Sequence, residues 1–231
     1  MSTIVVKEKD IVIPGEVLAE GLDYLPGDNT YREADTIYSK VLGLVSILGR
    51  VVKITALAGP YVPKTGDKII GKVTDITMNG WRVETETAYS AMLNVKDATT
   101  RFIRKEENLS ELIAIGDYIV AKIVQVTSQN LIDLAMREPG LHRITSGWII
   151  KINSQKVPRV IGKQGSMISL IKSKTNCEIT VGQNGLVWLH GTPAGEWLAE
   201  KAVHLIEAKA HTEGLTDKVQ QFLEENQKNE L

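Results

Sequence analysis

The pattern of apolar and polar positions changes character three times along the 231 residues. Residues 1–62 hold short apolar runs, each stopped by a turn signal. Ile11-Val12-Ile13 runs into Pro14-Gly15, Glu16 to Ala19 runs into Gly21, and Pro26-Gly27-Asp28-Asn29 breaks the chain again. Thr36 to Val41, Gly43 to Leu48 and Val51 to Leu57 follow as strand-like pieces. Short strands with regular glycine punctuation predict a small all-β domain. Residues 63–138 lengthen the strands. Gly66-Asp67 launches Ile69 to Thr77, Met78-Asn79-Gly80 turns it into Trp81 to Thr87, and Ser90 to Val95 makes a third. After an irregular charged stretch from Lys96 to Glu111, Gly116-Asp117 launches Ile119 to Val126, which turns at Gln129-Asn130 into Leu131 to Met136. Five such strands predict a barrel of OB type. Trp81 shares strand parity with Val83, which favours the core over a surface role.

Residues 145–212 alternate differently. Trp148 to Ile152 reads as a strand, and Val157 to Ile161 as a short helix that tolerates Pro158 at its start. Gly162-Lys163-Gln164-Gly165 interrupts it. Ser166 is then an expected N-cap for a helix to about Lys174 with Ile168 and Ile171 on one face. Glu178 to Val181 and Leu186 to His190 make a hairpin around Gln183-Asn184-Gly185. Thr192 caps, and Pro193 opens, a helix striped with Leu198, Ala202, Leu205 and Ile206. The order β-α-α-β-β-α is that of a type I KH domain. Residues 213–231 are polar and acidic and predict a frayed tail.

Charge sharpens this picture only through its distribution. The sum is −1, from 27 Lys and Arg against 28 Asp and Glu, which is no signature of a nucleic-acid binder. Yet from Pro139 to Cys177 there is no acidic residue, and the same stretch carries Arg143, Lys151, Lys156, Arg159, Lys163, Lys172 and Lys174. No apolar run approaches the roughly 20 residues needed to span a bilayer, and Lys7 to Asp10 interrupt any signal-peptide layout. Cys177 is the only cysteine. It reads as a core side chain rather than a nucleophile, and a reducing cytoplasm is the expected compartment.

The sharpest chemical signal is the sequence Val160 to Ile168 around Gly162 and Gly165. Two glycines three apart, between two short helices, leave no Cβ to hold off a sugar-phosphate backbone. The helix beginning at Ser166 directs its N–H groups and positive dipole end to the same place, and Lys163 and Arg159 add cations. A KH domain clamps about four nucleotides in this way. The expected RNA-binding set here is Gly162, Lys163, Gln164, Gly165, Ser166 and Arg159, and replacing both glycines with Asp is expected to weaken RNA binding without unfolding the domain. A P-loop is excluded, because Gly162-Lys163 is followed by Gln164 and position 157 is Val157. His142, His190, His204 and His211 share no metal-ligand spacing, and Glu106-Glu107 and Glu224-Glu225 lie in polar stretches. No catalytic residue, metal site or cofactor is expected.

The barrel resembles the RNA-binding fold of ribosomal protein S-one. With a β-rich domain holding Ile13-Pro14-Gly15-Glu16 before it and the KH unit after it, the order of parts resembles the archaeal exosome cap subunits of the ribosomal RNA processing protein four family. The resemblance implies a non-catalytic subunit. Three copies would surround the RNA entrance of a hexameric ring of RNase PH-like proteins. The N-terminal domains would dock to the ring, the barrels face the pore, and the KH domains lie outward. The ring would perform phosphorolytic 3′-to-5′ cleavage, while the cap would recruit single-stranded RNA of any sequence and stabilise the ring, with no membrane involved. Barrels of this type usually stack bases on aromatics. At the matching positions this chain has Asn79, Arg82 and Asn94, which shifts the expectation toward backbone contacts from Lys72, Arg82, Lys122 and Arg137. Two alternatives use the same domains: a free-standing translation or RNA-stability factor, and a fragment related to polynucleotide phosphorylase. The phosphorylase places KH before the barrel, the reverse of the order here.

Overall fold

The computed structural model describes residues 3–99, 101, 108–210, 212 and 214–227, and it divides the chain into two compact units, residues 1–60 and 61–231. Glu106, Glu107 and His211 lie outside the described residues.

Short strands form the first unit because turn residues recur every few positions. β1 (Thr3–Ile4), β3 (Val17–Glu20), β6 (Thr36–Ser39) and β5 (Thr30–Glu33) make one four-stranded sheet. β2 (Ile11–Val12), β7 (Gly43–Leu48), β8 (Val51–Ala56) and β4 (Leu25–Pro26) make another. Val12, Leu18, Ile37, Val45, Val52 and Ile54, drawn from both sheets, pack into one core. Strand alternation sends the other set of side chains outward. Register places Ile11 opposite Leu44, Leu48 opposite Val51, and Leu25 opposite Val51 on that outward face.

The second unit opens with the barrel. β9 (Lys68–Thr77), β10 (Gly80–Glu84) and β11 (Ser90–Asn94) form a meander, followed by short helices α1 (Val95–Ala98) and α2 (Leu109–Leu112). β12 (Tyr118–Val126) returns beside β9, and β13 (Ile132–Ala135) closes the barrel by pairing parallel to β11 and antiparallel to β12. Bulges at Arg82/Val83 and between Ile123 and Gln125 supply the bend that closure needs. Trp81 lies fully inside, and its indole N–H donates to Ile113 O at 2.9 Å, so the ring belongs to the core.

After β14 (Arg143–Ile144), which adds to the edge of β12, comes the KH fold: β15 (Trp148–Lys151), α3 (Val157–Ile161), α4 (Ser166–Thr175), β16 (Glu178–Val181), β17 (Leu186–His190) and α5 (Pro193–Ala208). The sheet order is β15-β17-β16. β17 is buried along both faces. Val187 and Leu189 meet the helices, whereas Leu186 and Trp188 pack with Ile70 and Val120 of the barrel. A strand covered on both sides reads as an unbroken apolar run, which is why Leu186 to Leu189 shows no alternation.

Two expectations are corrected. Ser166 does not cap α4: it has helical dihedrals, Gly165 occupies the N-cap position in the left-handed region, and no side chain caps the end. Residues 215–227, expected as part of a frayed tail, are helical. They form α6 (Leu215–Gln227), whose Leu215, Val219 and Leu223 are buried in the KH core. Three apolar residues spaced by four make one helical stripe, and a mainly acidic composition hid it.

Candidate nucleic-acid interface

The loop between α3 and α4 is built by three residues with positive φ. Gly162 has φ 75° and ψ 175°, a region open to glycine almost alone, and Gln164 and Gly165 follow at φ 53° and 79°. Gly162 N–H donates to Pro158 O at 3.0 Å, ending α3, and Gly165 N–H donates to Gly162 O at 3.2 Å. The two glycines do different jobs. A Cβ at Gly162 would stand 2.8 Å from Met167 N and 2.7 Å from Met167 Cβ, so this glycine lets the loop fold against the start of α4. A Cβ at Gly165 would meet nothing nearer than Ile168 Cγ2 at 3.8 Å. The expectation that Asp at both positions spares the fold is therefore corrected: Gly162 is needed for packing, and the loop is better probed at the exposed Lys163 and Gln164.

The uncapped start of α4 leaves N–H groups without a side-chain partner at the mouth of this bare turn. Arg159, Lys163 and Ser166 are exposed around it. The acid-free segment is not acid-free in space, however. Arg143 Nε lies 2.9 Å from Asp117 Oδ2, an ion pair without an aligned hydrogen bond. Lys151 pairs with Glu86, and Lys174 Nζ with Glu224 Oε1 at 3.1 Å. Arg159, Lys163 and Lys172 are exposed and make no ion pair among the described residues. The basic run thus divides into cations that hold the fold and cations left for an anion.

The barrel candidates do not form one patch. Lys72 is exposed, with its ammonium 5.9 Å from the centre of the Tyr118 ring and Glu84 as its cross-strand partner. Arg82 is exposed opposite Asp75 on β9 and Met92 on β11. Lys122 stands four residues further along the β9–β12 pairing and is held by both oxygens of Glu138, at 2.7 and 2.9 Å. Arg137 is exposed beyond β13. Asn94 pairs across from Gly80, and Asn79 O accepts from Val95 N at the same end of the barrel. Alternating Lys72, Asp75, Arg82 and Glu84 give this face mixed charge, so the cationic emphasis lies on the KH unit.

Cys177 is buried, and burial pushes its thiol pKa up, away from nucleophilic use. His204 sits between Glu200 and Glu207 on α5 as a surface pair. Among the described residues no group of three or more His, Cys, Asp or Glu is placed to hold a metal ion.

Asn184 is the residue that turn chemistry alone misses. It lies in the β16–β17 turn, buried, and reaches into the barrel. Its Nδ2 donates to Ile70 O at 2.7 Å and Thr85 O at 3.1 Å, and its Oδ1 accepts from Ile70 N at 3.3 Å. Gln183 N–H donates to Lys68 O at 2.8 Å beside it. The Asn-Gly dipeptide predicts the turn; nothing in its spacing reveals that the side chain bridges two domains.

A closed five-stranded barrel carrying a KH fold with a bare glycine turn between its first two helices defines a barrel-plus-KH protein of the nucleic-acid-binding kind. A KH domain family model matches residues 147–208, and a model described as the Exosome complex exonuclease RRP4 N-terminal region matches residues 11–48. The chain belongs to the Rrp4 family. It is 44% identical over 218 residues to the Exosome complex component Rrp4 of Methanothermus fervidus, covering 94% of this chain and 96% of that one. It is 41% identical to the protein of the same name from Pyrococcus furiosus, covering 96% and 86%. A crystal structure of a protein described as an exosome complex RNA-binding protein superposes with a TM-score of 0.67 at 34% identity, covering 75% of this chain and all of that one.

Proposed function

We propose that this chain is the RNA-binding cap subunit of an archaeal exosome: a binding component and not an enzyme, which recruits single-stranded RNA to a phosphorolytic 3′-to-5′ ring and holds that ring together. The exposed turn Gly162-Lys163-Gln164-Gly165 at the uncapped start of α4 carries the reading. Nearly full-length relatives named as exosome components favour it over the free-standing factor and the phosphorylase fragment. Recognition there is mostly of phosphates, so it tolerates sequence and weakens with salt.

The double substitution Lys163→Asp and Gln164→Asp tests the reading. Both side chains are exposed, and Asp tolerates the left-handed backbone at position 164, so the melting temperature should stay put. Affinity for single-stranded RNA, followed by fluorescence anisotropy at fixed salt, should fall by roughly tenfold or more, because a cation is lost and two anions face the phosphates. Undiminished RNA binding by a folded variant would count against the loop.

Ring attachment belongs to the first unit. Ile11 and Leu48 are 66% and 65% exposed on its outward sheet face, beside Leu25, Leu44 and Val51. Apolar pairs of this kind, separated by Ser46 opposite Lys53, suit a protein partner, and three copies on an RNase PH-like ring would each present one such face. Ile11→Asp together with Leu48→Asp should abolish comigration with ring subunits in size-exclusion chromatography while RNA binding by the free chain persists. Comigration at wild-type levels would move the docking surface elsewhere.

A further inference from the structure

The chain holds two Asn-Gly pairs, Asn79-Gly80 and Asn184-Gly185, and the fold treats them oppositely. Packing fixes the glycine in both. A Cβ at Gly80 would stand 2.0 Å from Leu93 O, so β10 lies against β11 only with a bare residue at its start. A Cβ at Gly185 would stand 2.4 Å from Ile152 O. The asparagines differ. Asn184 is 4% exposed, and its amide is pinned by hydrogen bonds to Ile70 N, Ile70 O and Thr85 O. Asn79 is exposed at the tip of the β9–β10 hairpin, next to Met78, which is 97% exposed. The main chain of that tip is engaged: Asn79 O accepts from Val95 N at 2.9 Å, and Thr77 Oγ1 donates to Gly80 O at 3.0 Å. The Asn79 side-chain amide makes no hydrogen bond among the described residues, so it alone is left to turn.

A free carboxamide beside a residue with no Cβ has an intramolecular reaction open to it in water. The Gly80 backbone nitrogen, its proton drawn off by base, attacks Asn79 Cγ. A C–N bond closes a succinimide ring, and the side-chain nitrogen takes up a proton and leaves as ammonia. Water then opens the ring. Addition at Cγ breaks the new bond, restores the ordinary peptide and leaves aspartate. Addition at the Asn79 carbonyl carbon breaks the original peptide bond and leaves isoaspartate, with the main chain now passing through Cγ. The balance is water in and ammonia out, with no oxidant or reductant. We propose that Asn79-Gly80 is a site of spontaneous deamidation in the folded protein, whereas Asn184-Gly185 is protected until the seam between barrel and KH fold opens. Each event puts a new carboxylate on the exposed tip of the barrel. The proposal goes beyond the RNA-binding reading and does not rest on it.

The test follows the full chain, kept folded in mildly alkaline buffer, by tryptic peptide mapping and mass spectrometry. Cleavage at Lys72 and Arg82 isolates Asn79, and cleavage at Lys174 and Lys201 isolates Asn184. Asn79 should convert to aspartate and isoaspartate roughly tenfold faster than Asn184 or more, because Asn184 reacts only from an opened state. Denaturing urea should bring the two rates together. Chains that have gained a negative charge, separated by anion exchange, should carry the change at Asn79. An isoaspartyl-specific carboxyl methyltransferase should label the aged chain and not Asn79→Gln, whose longer side chain closes the ring far more slowly. Equal rates for the two asparagines in the folded chain would overturn the proposal. So would an Asn79 that reacts only in urea, which would mean that the hairpin holds its main chain in a form the ring cannot adopt, or equal labelling of Asn79→Gln.

Discussion

Replacing Asn184 with Asp should lower the stability of the barrel–KH unit by about 3–5 kcal/mol at pH 7, because unsatisfied buried groups cost roughly 1–3 kcal/mol each and a buried charge more. The substitution keeps the shape and inverts the chemistry. Two donors that serve Ile70 O and Thr85 O become acceptors facing acceptors, in a site with almost no solvent. The new carboxyl would titrate well above the usual carboxylate range in the folded state, so the native form takes up a proton that the unfolded form has released. Stability of the variant should therefore rise as pH falls from about 7 to 5, toward neutralisation of the acid. Urea unfolding at several pH values measures this. A loss under about 1 kcal/mol, or one indifferent to pH, would mean that the seam is held without Asn184, by the packing of Leu186, Trp188, Ile70 and Val120 and by the Gln183–Lys68 backbone bond.

Leu223→Ala is expected to cost about 2–4 kcal/mol, the usual range for emptying a fully buried leucine site. Leu223 has no exposed surface and packs with Leu215 and Val219 into the cluster that holds α3, α4 and α5. The neighbouring Gln221→Ala, on the exposed side of α6, should change stability by less than about 0.5 kcal/mol. Thermal unfolding of the two variants side by side measures the difference. Equal melting curves would return α6 to the status of an appendage. The Lys174–Glu224 pair, between partly exposed partners, adds little to this packing.

Much of the architecture is legible in local pattern. Glycine and Asn-Gly punctuation, the Thr192-Pro193 helix start and the five barrel strands all act through residues close in sequence, and the structure has a Thr192 cap accepting from Gly195 N at 3.2 Å as expected. Ser166 misled because a serine before a helix is a common cap, whereas the left-handed Gly165 already turns the chain in. α6 was hidden because three apolar residues among acids look like a solvated tail until a core is there to receive them.

What the sequence alone determined is the order of domains, the strands and helices within them, and the bare turn at Gly162 to Gly165, since each depends on dihedral preference and short-range periodicity. What only the tertiary structure decided is which charges remain available and how the barrel and KH fold are joined. Asp117, Glu86 and Glu224 reach the basic run from distant segments, and Asn184 finds Ile70 across 114 residues. Such pairings follow from chain topology, which brings together residues whose spacing carries no local signal.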